Sequence, residues 1–351
     1  MAQGGSAPTV LILKLTRGKF QTNGLRLVES PHILTLRQAR AVSRNSGGHS
    51  RKYLHTGQML TRPAKYLWQH IRYIPLWTAL TYSKWRGFDA RARSLGNFFG
   101  WTMRWIPLAR RRFDREILRI YPDMDRSDRL KLSRKMGQNM GRTLFEVFHN
   151  TQFQKGLDRF HISGPGLAVL EKARDEGKGA IIVSGHFGQW EAVRAVLKDR
   201  GMETGGVYRR QNNRHYQRLW VRGIEQGGKP ALTTGPRGTK AMIRHLRAGG
   251  FVAILLDEKT VDGEMMPFLG FDALTSLAAA RLALKYNVPF IPAFGTRHEN
   301  SSDIDVEFEA PIEPSDPMTM TQAFNDNLSA RILEKPDQWY WLLRRWKDMR
   351  Q

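Results

Sequence analysis

A histidine lies between two glycines in the stretch Val183-Ser-Gly-His-Phe-Gly-Gln-Trp-Glu-Ala192, and a glutamate follows it by five positions. Imidazole is the side chain whose proton affinity sits nearest neutral pH, so it suits general-base work when a carboxylate orients it. With a turn between them, Glu191 can fold back onto the ring of His186, as the acid of a triad does. Gly185 and Gly188 leave the backbone free to turn sharply and expose amides. If a helix starts there, its first amides are donors without intrahelical partners, suited to a developing oxyanion or a phosphate. The bland alternative is a structural histidine in a turn.

No enzyme nucleophile accompanies that histidine. Ser184 precedes Gly185 and is not at the apex of a Gly-x-Ser-x-Gly elbow. The chain has no cysteine, which also excludes disulfides and thiolate metal sites. A base without a nucleophile points to direct transfer, in which His186 deprotonates a substrate hydroxyl that attacks a carbonyl. Phosphate-loop, dinucleotide and His-Glu-x-x-His signatures are absent, and the ten histidines do not cluster along the chain, so no cofactor and no metal are expected. Arg209, in Tyr208-Arg-Arg-Gln-Asn-Asn213, is either a guanidinium for a phosphate or acyl-donor anion or part of a solvated basic loop. Asp257-Glu258 closes a second apolar run. Phe268-Leu-Gly-Phe271 with Thr275 opens a helix, which Thr275 could cap.

The elements that must position these groups alternate from Gly177 onward. KGAIIVSGH, ETGGVYR, FVAILLDE and VPFIPAFGTR have the apolar runs of strands. FGQWEAVRAVLKDRG, HYQRLWVRGIEQ, RGTKAMIRHLRAGG, LTSLAAARLALKYN and MTQAFNDNLSARILEKP are helical between them. DIDVEFEAPIE alternates like an edge strand, and Pro289 and Pro292 suggest an edge or a tight corner for their own strand. Strands spaced by helices predict an α/β fold with a mostly parallel sheet. His186 then falls where a buried strand ends and a helix begins, the edge at which α/β sheets gather ligands. Residues 113–160 are amphipathic and helical, split at Pro122.

The formal charge of +24 is unevenly spread. Residues 1–58 carry nine Lys/Arg against one acid, and residues 59–150 nineteen against seven, so positions 151–351 hold only a net of +4. Three parts follow: a basic extension at 1–58 expected to be disordered, an aromatic and Arg-rich membrane-associating segment at 59–112, and a catalytic domain at 113–351. In the middle part Trp68, Trp77, Trp85, Trp101 and Trp105 interleave with Arg72, Lys84, Arg86 and Arg104. No run there reaches the roughly 18–20 apolar residues of a spanning helix. Tryptophan beside arginine instead suits a membrane interface, where Arg110-Arg-Arg112 would meet anionic headgroups. A core-burying helical hairpin is the alternative. The charge alone would also admit a nucleic-acid-binding protein, but no binding module follows the arginines.

The blocks HFGQWE, VYRRQNN, RGTKAMIRHLRAGG, FVAILLDE, PFLGFDALT, VPFIPAF and PDQWYWLLRRWK, in this order, resemble the late lipid A acyltransferase family. These lauroyl and myristoyl enzymes are related to glycerophosphate and lysophospholipid acyltransferases through a His-x4-Asp/Glu signature. The resemblance covers roughly residues 60–348. It implies an acyltransferase-like mostly parallel sheet flanked by helices, a membrane anchor, and an active site on the cytoplasmic face of a bacterial inner membrane. An acyl-carrier-protein thioester (or acyl-coenzyme A) donor, a phosphorylated glycolipid acceptor such as a lipid A precursor, and no nucleic acid partner are implied as well. Lysophospholipid or other glycolipid acylation is the alternative. The resemblance matches His186 to the general base and Glu191 to its partner carboxylate. Arg209, Asn213, Arg237, Asp257, Gly270 and Thr275 fall on its substrate-binding blocks. The sequence departs from the pattern where Arg210 replaces a proline, Glu258 a glutamine and Leu343 a histidine.

Overall fold

The computed structural model describes residues 69–346 apart from positions 72, 75, 76, 79, 82, 83, 261 and 300. The extension at 1–58, together with Trp68 and Arg72 of the aromatic segment, lies outside the described residues.

Ahead of the sheet lie α1 (Phe88–Trp105), α2 (Pro107–Ile120) and α3 (Arg126–Phe148). Pro107 ends α1 and opens α2, where its missing N–H is not needed. The Asp125 carboxylate caps α3 by accepting from the Asp128 amide at 2.8 Å. The α1–α3 contact is made through glycine. A Cβ on Gly141 would stand 2.9 Å from the Gly96 Cα, and one on Gly137 would stand 2.9 Å from the Gly100 Cα. Small residues four apart on both helices thus let the backbones touch, an approach any larger side chain would block.

The remainder is an α/β layer. A seven-stranded sheet has the order β1-β9-β8-β2-β5-β3-β4. Its strands are β1 (Phe160–Ser163), β2 (Ala180–Ser184), β3 (Thr204–Tyr208), β4 (Ala231–Thr233), β5 (Phe251–Leu255), β8 (Phe290–Arg297) and β9 (Ile304–Phe308). The five strands from β8 to β4 run parallel, whereas β9 is antiparallel to β8 and carries β1 with it. Between them run α4 (Gly166–Asp175), α5 (Glu191–Asp199), α6 (Arg214–Gly227), α7 (Pro236–Arg247) and α8 (Ala278–Tyr286), and α9 (Pro317–Glu334) follows the last strand. All five residues of β2 are buried, because helices cover both faces of a parallel sheet. The mostly parallel, helix-flanked α/β architecture is therefore the one the sequence predicts.

Three local expectations change. DIDVEFEAPIE does not form an edge: β9 lies between β1 and β8 and keeps its alternating burial. β8 is likewise interior, and Pro292 is tolerated because the ladder with β9 starts one residue later, at Ala293 opposite Phe308. Finally, Phe268–Phe271 does not open a helix. β6 (Glu264–Phe268) and β7 (Phe271–Thr275) form an antiparallel hairpin instead. Leu269 and Gly270, both at positive φ (50° and 79°), make the two-residue turn that matches strand twist.

Candidate functional site

The strand β2 ends at Ser184, and the chain turns through Gly185-His-Phe-Gly before α5 begins at Glu191. Gly188 has φ 53°, and a Cβ there would strike the Gly295 carbonyl, so the turn requires glycine at this position. The next parallel strand, β5, delivers Asp257 two residues past its end. Asp257 is 1% exposed and meets His186 twice. Its Oδ2 accepts the His186 amide at 2.7 Å, and its Oδ1 lies 2.8 Å from Nδ1. The indole of Trp339 donates to the same Oδ2 at 2.8 Å. A carboxylate only accepts, so Nδ1 carries the ring proton and Nε2 is the free basic nitrogen.

Burial disfavours the imidazolium, but the Asp257 charge and hydrogen bond, with Glu258 adding to them, hold the His186 pKa above its ordinary value. Burial likewise works against the Asp257 carboxylate, and the His186 charge and the bonds from His186 and Trp339 outweigh it, leaving that pKa below the usual range. Glu258 is the group opposite Nε2, with Oε1 4.0 Å away.

Glu191 is not brought onto the ring. Its carboxylate is buried against Arg194, whose Nη1 donates to both oxygens at 3.0 and 2.8 Å, and Asn150 Nδ2 donates to Oε2 at 2.9 Å. Arg194 then donates to the carbonyls of Thr204, Ile224 and Gly228. The result is a clamp joining the segment just after α3 to α5, β3 and α6, and not an orienting contact for His186. Four amides of the turn and of the start of α5 are also occupied. Gly188 N–H donates to the Gln338 carbonyl, Gln189 N–H to that of Gly295, Glu191 N–H to Gln189 Oε1, and Ala192 N–H to the Gln189 carbonyl. These four amides are therefore spent inside the protein.

His186 opens onto a cavity of about 160 Å³ whose walls include Ile182, Val193, Val207, Ile224 and Leu255, with Arg209 and Glu258 at polar positions. Ser184 also lines it, and its buried hydroxyl has no partner among the described residues. A second cavity, about 450 Å³, shares Val207, Arg209, Thr234, Leu255 and Glu258 with the first.

The remaining predicted site residues are placed outside the His186–Asp257 contact. Asn213 caps α6 by accepting from the His215 and Tyr216 amides, and it donates to the Gln69 carbonyl. Arg237 is an exposed residue in the first turn of α7. Gly270 sits in the hairpin turn. Thr275 is no helix cap; it ends β7, fully buried, and its hydroxyl accepts from Arg345 at 2.5 Å. Arg345 is itself buried, and burial lowers its pKa to about 10 while the Asp257 charge opposes the fall. Trp339 and Arg345 both belong to the PDQWYWLLRRWK block, so their place in the sequence was marked although their partners were not.

Residues 60–348 match the model of a family described as bacterial lipid A biosynthesis acyltransferase. A Haemophilus influenzae protein named lipid A biosynthesis acyltransferase is 25% identical over 182 residues, which are 51% of this chain and 57% of that protein. The chain thus spans little more than half the length of that relative.

Proposed function

The chain belongs to the bacterial lipid A biosynthesis acyltransferase family, and on that premise we propose that it transfers a fatty acyl chain from a thioester to a hydroxyl of a phosphorylated glycolipid. The observation that carries the reading is the 2.8 Å contact between His186 Nδ1 and Asp257 Oδ1 beside an apolar cavity. Nε2 takes the proton of the acceptor hydroxyl as its oxygen attacks the thioester carbonyl carbon. The carbonyl π electrons move to oxygen, and the Arg209 guanidinium meets the charge that develops. Collapse of the intermediate breaks the carbon–sulfur bond, and the imidazolium returns its proton to the departing thiolate. The products are an ester and a thiol, with no acyl-enzyme. Asp257 holds the tautomer and stabilises the imidazolium; the Glu191–Arg194 clamp holds α5 in place.

The donor is an acyl carrier protein thioester and the acceptor a lipid A precursor. The basic N-terminal third complements an acidic carrier and an anionic, phosphorylated surface. Docking at the cytoplasmic face of the inner membrane uses the aromatic side of α1. Phe98, Trp101 and Trp105 are each more than half exposed there, opposite the glycine seam, and Arg104 lies over the Trp105 ring at 5.6 Å. Among the described residues no helix is long and apolar enough to cross a membrane, which favours lateral docking for this segment.

The His186→Ala protein, assayed with acyl carrier protein thioester and a lipid A precursor, should lose about 100- to 10,000-fold in transfer rate while binding anionic vesicles normally. Retention of more than a few per cent of the rate would remove His186 from the chemistry. Mass spectrometry of lipids from a deletion strain identifies the acceptor. Loss of one secondary acyl chain from lipid A supports the proposed substrate. Unchanged lipid A with altered phospholipids would assign the acceptor to the lysophospholipids.

A further inference from the structure

The ten histidines do not cluster in sequence, but the fold assembles two of them with a carboxylate outside the lining of the acyl-transfer cavity. His161 lies on β1 and Asp305 on β9, and the two are register partners in adjacent parallel strands. Register partners project to the same face of a sheet. His298 follows the end of β8, the next strand across, and its backbone amide is pinned to the Asp303 carbonyl at 3.0 Å. Side-chain donor atoms of the three all lie within 4.8 Å of one another. The His298 Nε2 and Asp305 Oδ1 atoms are 2.6 Å apart, and the His161 and His298 rings are 5.5 Å apart between centroids.

We propose that His161, His298 and Asp305 form a binding site for a divalent transition-metal ion, with zinc as the best fit. Two imidazoles and one carboxylate are a donor set that zinc accepts, with bonds of about 2.0–2.2 Å to nitrogen and oxygen. Those bonds place the donor atoms of a tetrahedral shell roughly 3.4 Å apart. The 2.6 Å pair must open and the wider gaps must close, each by about an ångström. Both histidines are exposed, so rotation about their side-chain torsions supplies this movement without disturbing the strands. His298 and Asp305 also line an open cavity of about 600 Å³ that can hold water for the fourth position. The ion would fasten β1, β9 and β8 together at the edge where the sheet reverses direction, a structural role independent of acyl transfer. Without an ion, the same residues amount to an exposed histidine–carboxylate pair of little energetic weight.

The test uses the untagged full chain, stripped with a chelator and titrated with zinc against a chromophoric competitor. Cobalt serves as a visible-absorbing probe of the shell. The expected result is one zinc ion bound in the micromolar range or tighter, with the cobalt form showing the intense bands of a tetrahedral site. His161→Ala and His298→Ala each remove a direct ligand and should each weaken binding by at least about tenfold, the loss typical even of an outer-shell partner. His245→Ala, whose imidazole bonds the Phe251 carbonyl away from this cluster, should bind as the parent does. Asp305→Asn keeps the side chain's size, and it should reduce affinity with an unchanged circular dichroism spectrum. Zinc binding that is equal in the parent and in both histidine variants would overturn the site. So would a parent that binds no ion at micromolar zinc.

Discussion

Two buried carboxylates flank the same turn and have opposite surroundings. At the end of β5, Asp257 has a partly exposed imidazole, an indole N–H and a cavity beyond the ring. At the start of α5, Glu191 has a buried guanidinium and an amide from Asn150, with Arg194 tied on to three backbone carbonyls. The first arrangement keeps a titratable ring at a surface and tunes it. The second removes both charges from water and uses them to join four elements. Spacing along the chain favours Glu191 as the imidazole's partner, since it is five residues from His186, whereas Asp257 is 71 away. The parallel pairing of β2 with β5 reverses that preference by bringing the ends of the two strands side by side.

Substitutions at the two carboxylates should therefore fail in different ways. The largest effect belongs to Asp257→Asn, which removes the charge and reverses the hydrogen-bond demand on Nδ1. Transfer should fall by as much as about 10,000-fold with the fold retained, as steady-state rates and circular dichroism would show. Glu191→Ala leaves the buried Arg194 guanidinium without a counter-charge and should cost about 3–5 kcal/mol of unfolding free energy. Denaturant melts measure this, and an unchanged midpoint would refute the clamp. Trp339→Phe deletes one hydrogen bond to Asp257 and should lower the rate roughly 10-fold, in line with the about 1.5–3 kcal/mol of a bond to a charged group.

The smallest change is expected from Glu258→Gln. Asp257 and Glu258 both raise the His186 pKa, and the proposed base works only when neutral, so activity should climb as pH rises through that raised value. Removing the Glu258 charge lowers it and moves the acid limb of the pH–rate profile to lower pH. Stability has the opposite dependence. The raised His186 pKa contributes stability that is fully present below the unfolded-state value of about 6.5 and is lost as pH rises through the folded one. The depressed Asp257 pKa contributes stability above about 3.9 that is lost as pH falls through its folded value.

The sequence made the layer legible because apolar runs and helical periods report burial, and burial is decided element by element. β2, β5, α5 and α9 follow directly from that signal. Alternation in β9 reports which faces are covered but nothing about neighbours in the hydrogen-bonding direction, so an interior strand resembled an edge. The β6–β7 hairpin was hidden because its turn uses Leu269 at positive φ, where Asn or Gly would have announced it. His186 and Arg209 were identifiable by residue type and position, and Asp257 through the resemblance, though as a substrate-binding residue and not as the partner of the ring. The pairing of His186 with Asp257 was not, because it depends on strand order, and strand order is a long-range property. The glycines of α1 and α3 carried a readable spacing whose partner helix only the packing reveals.

The most direct test of the assignment is a titration of the His186 imidazole by nitrogen-detected NMR in the parent, Asp257→Asn and Glu191→Gln proteins. With Asp257 as the ring's partner, the raised pKa falls in Asp257→Asn and stays in place in Glu191→Gln. A fall in Glu191→Gln with the parent value kept in Asp257→Asn would contradict the account.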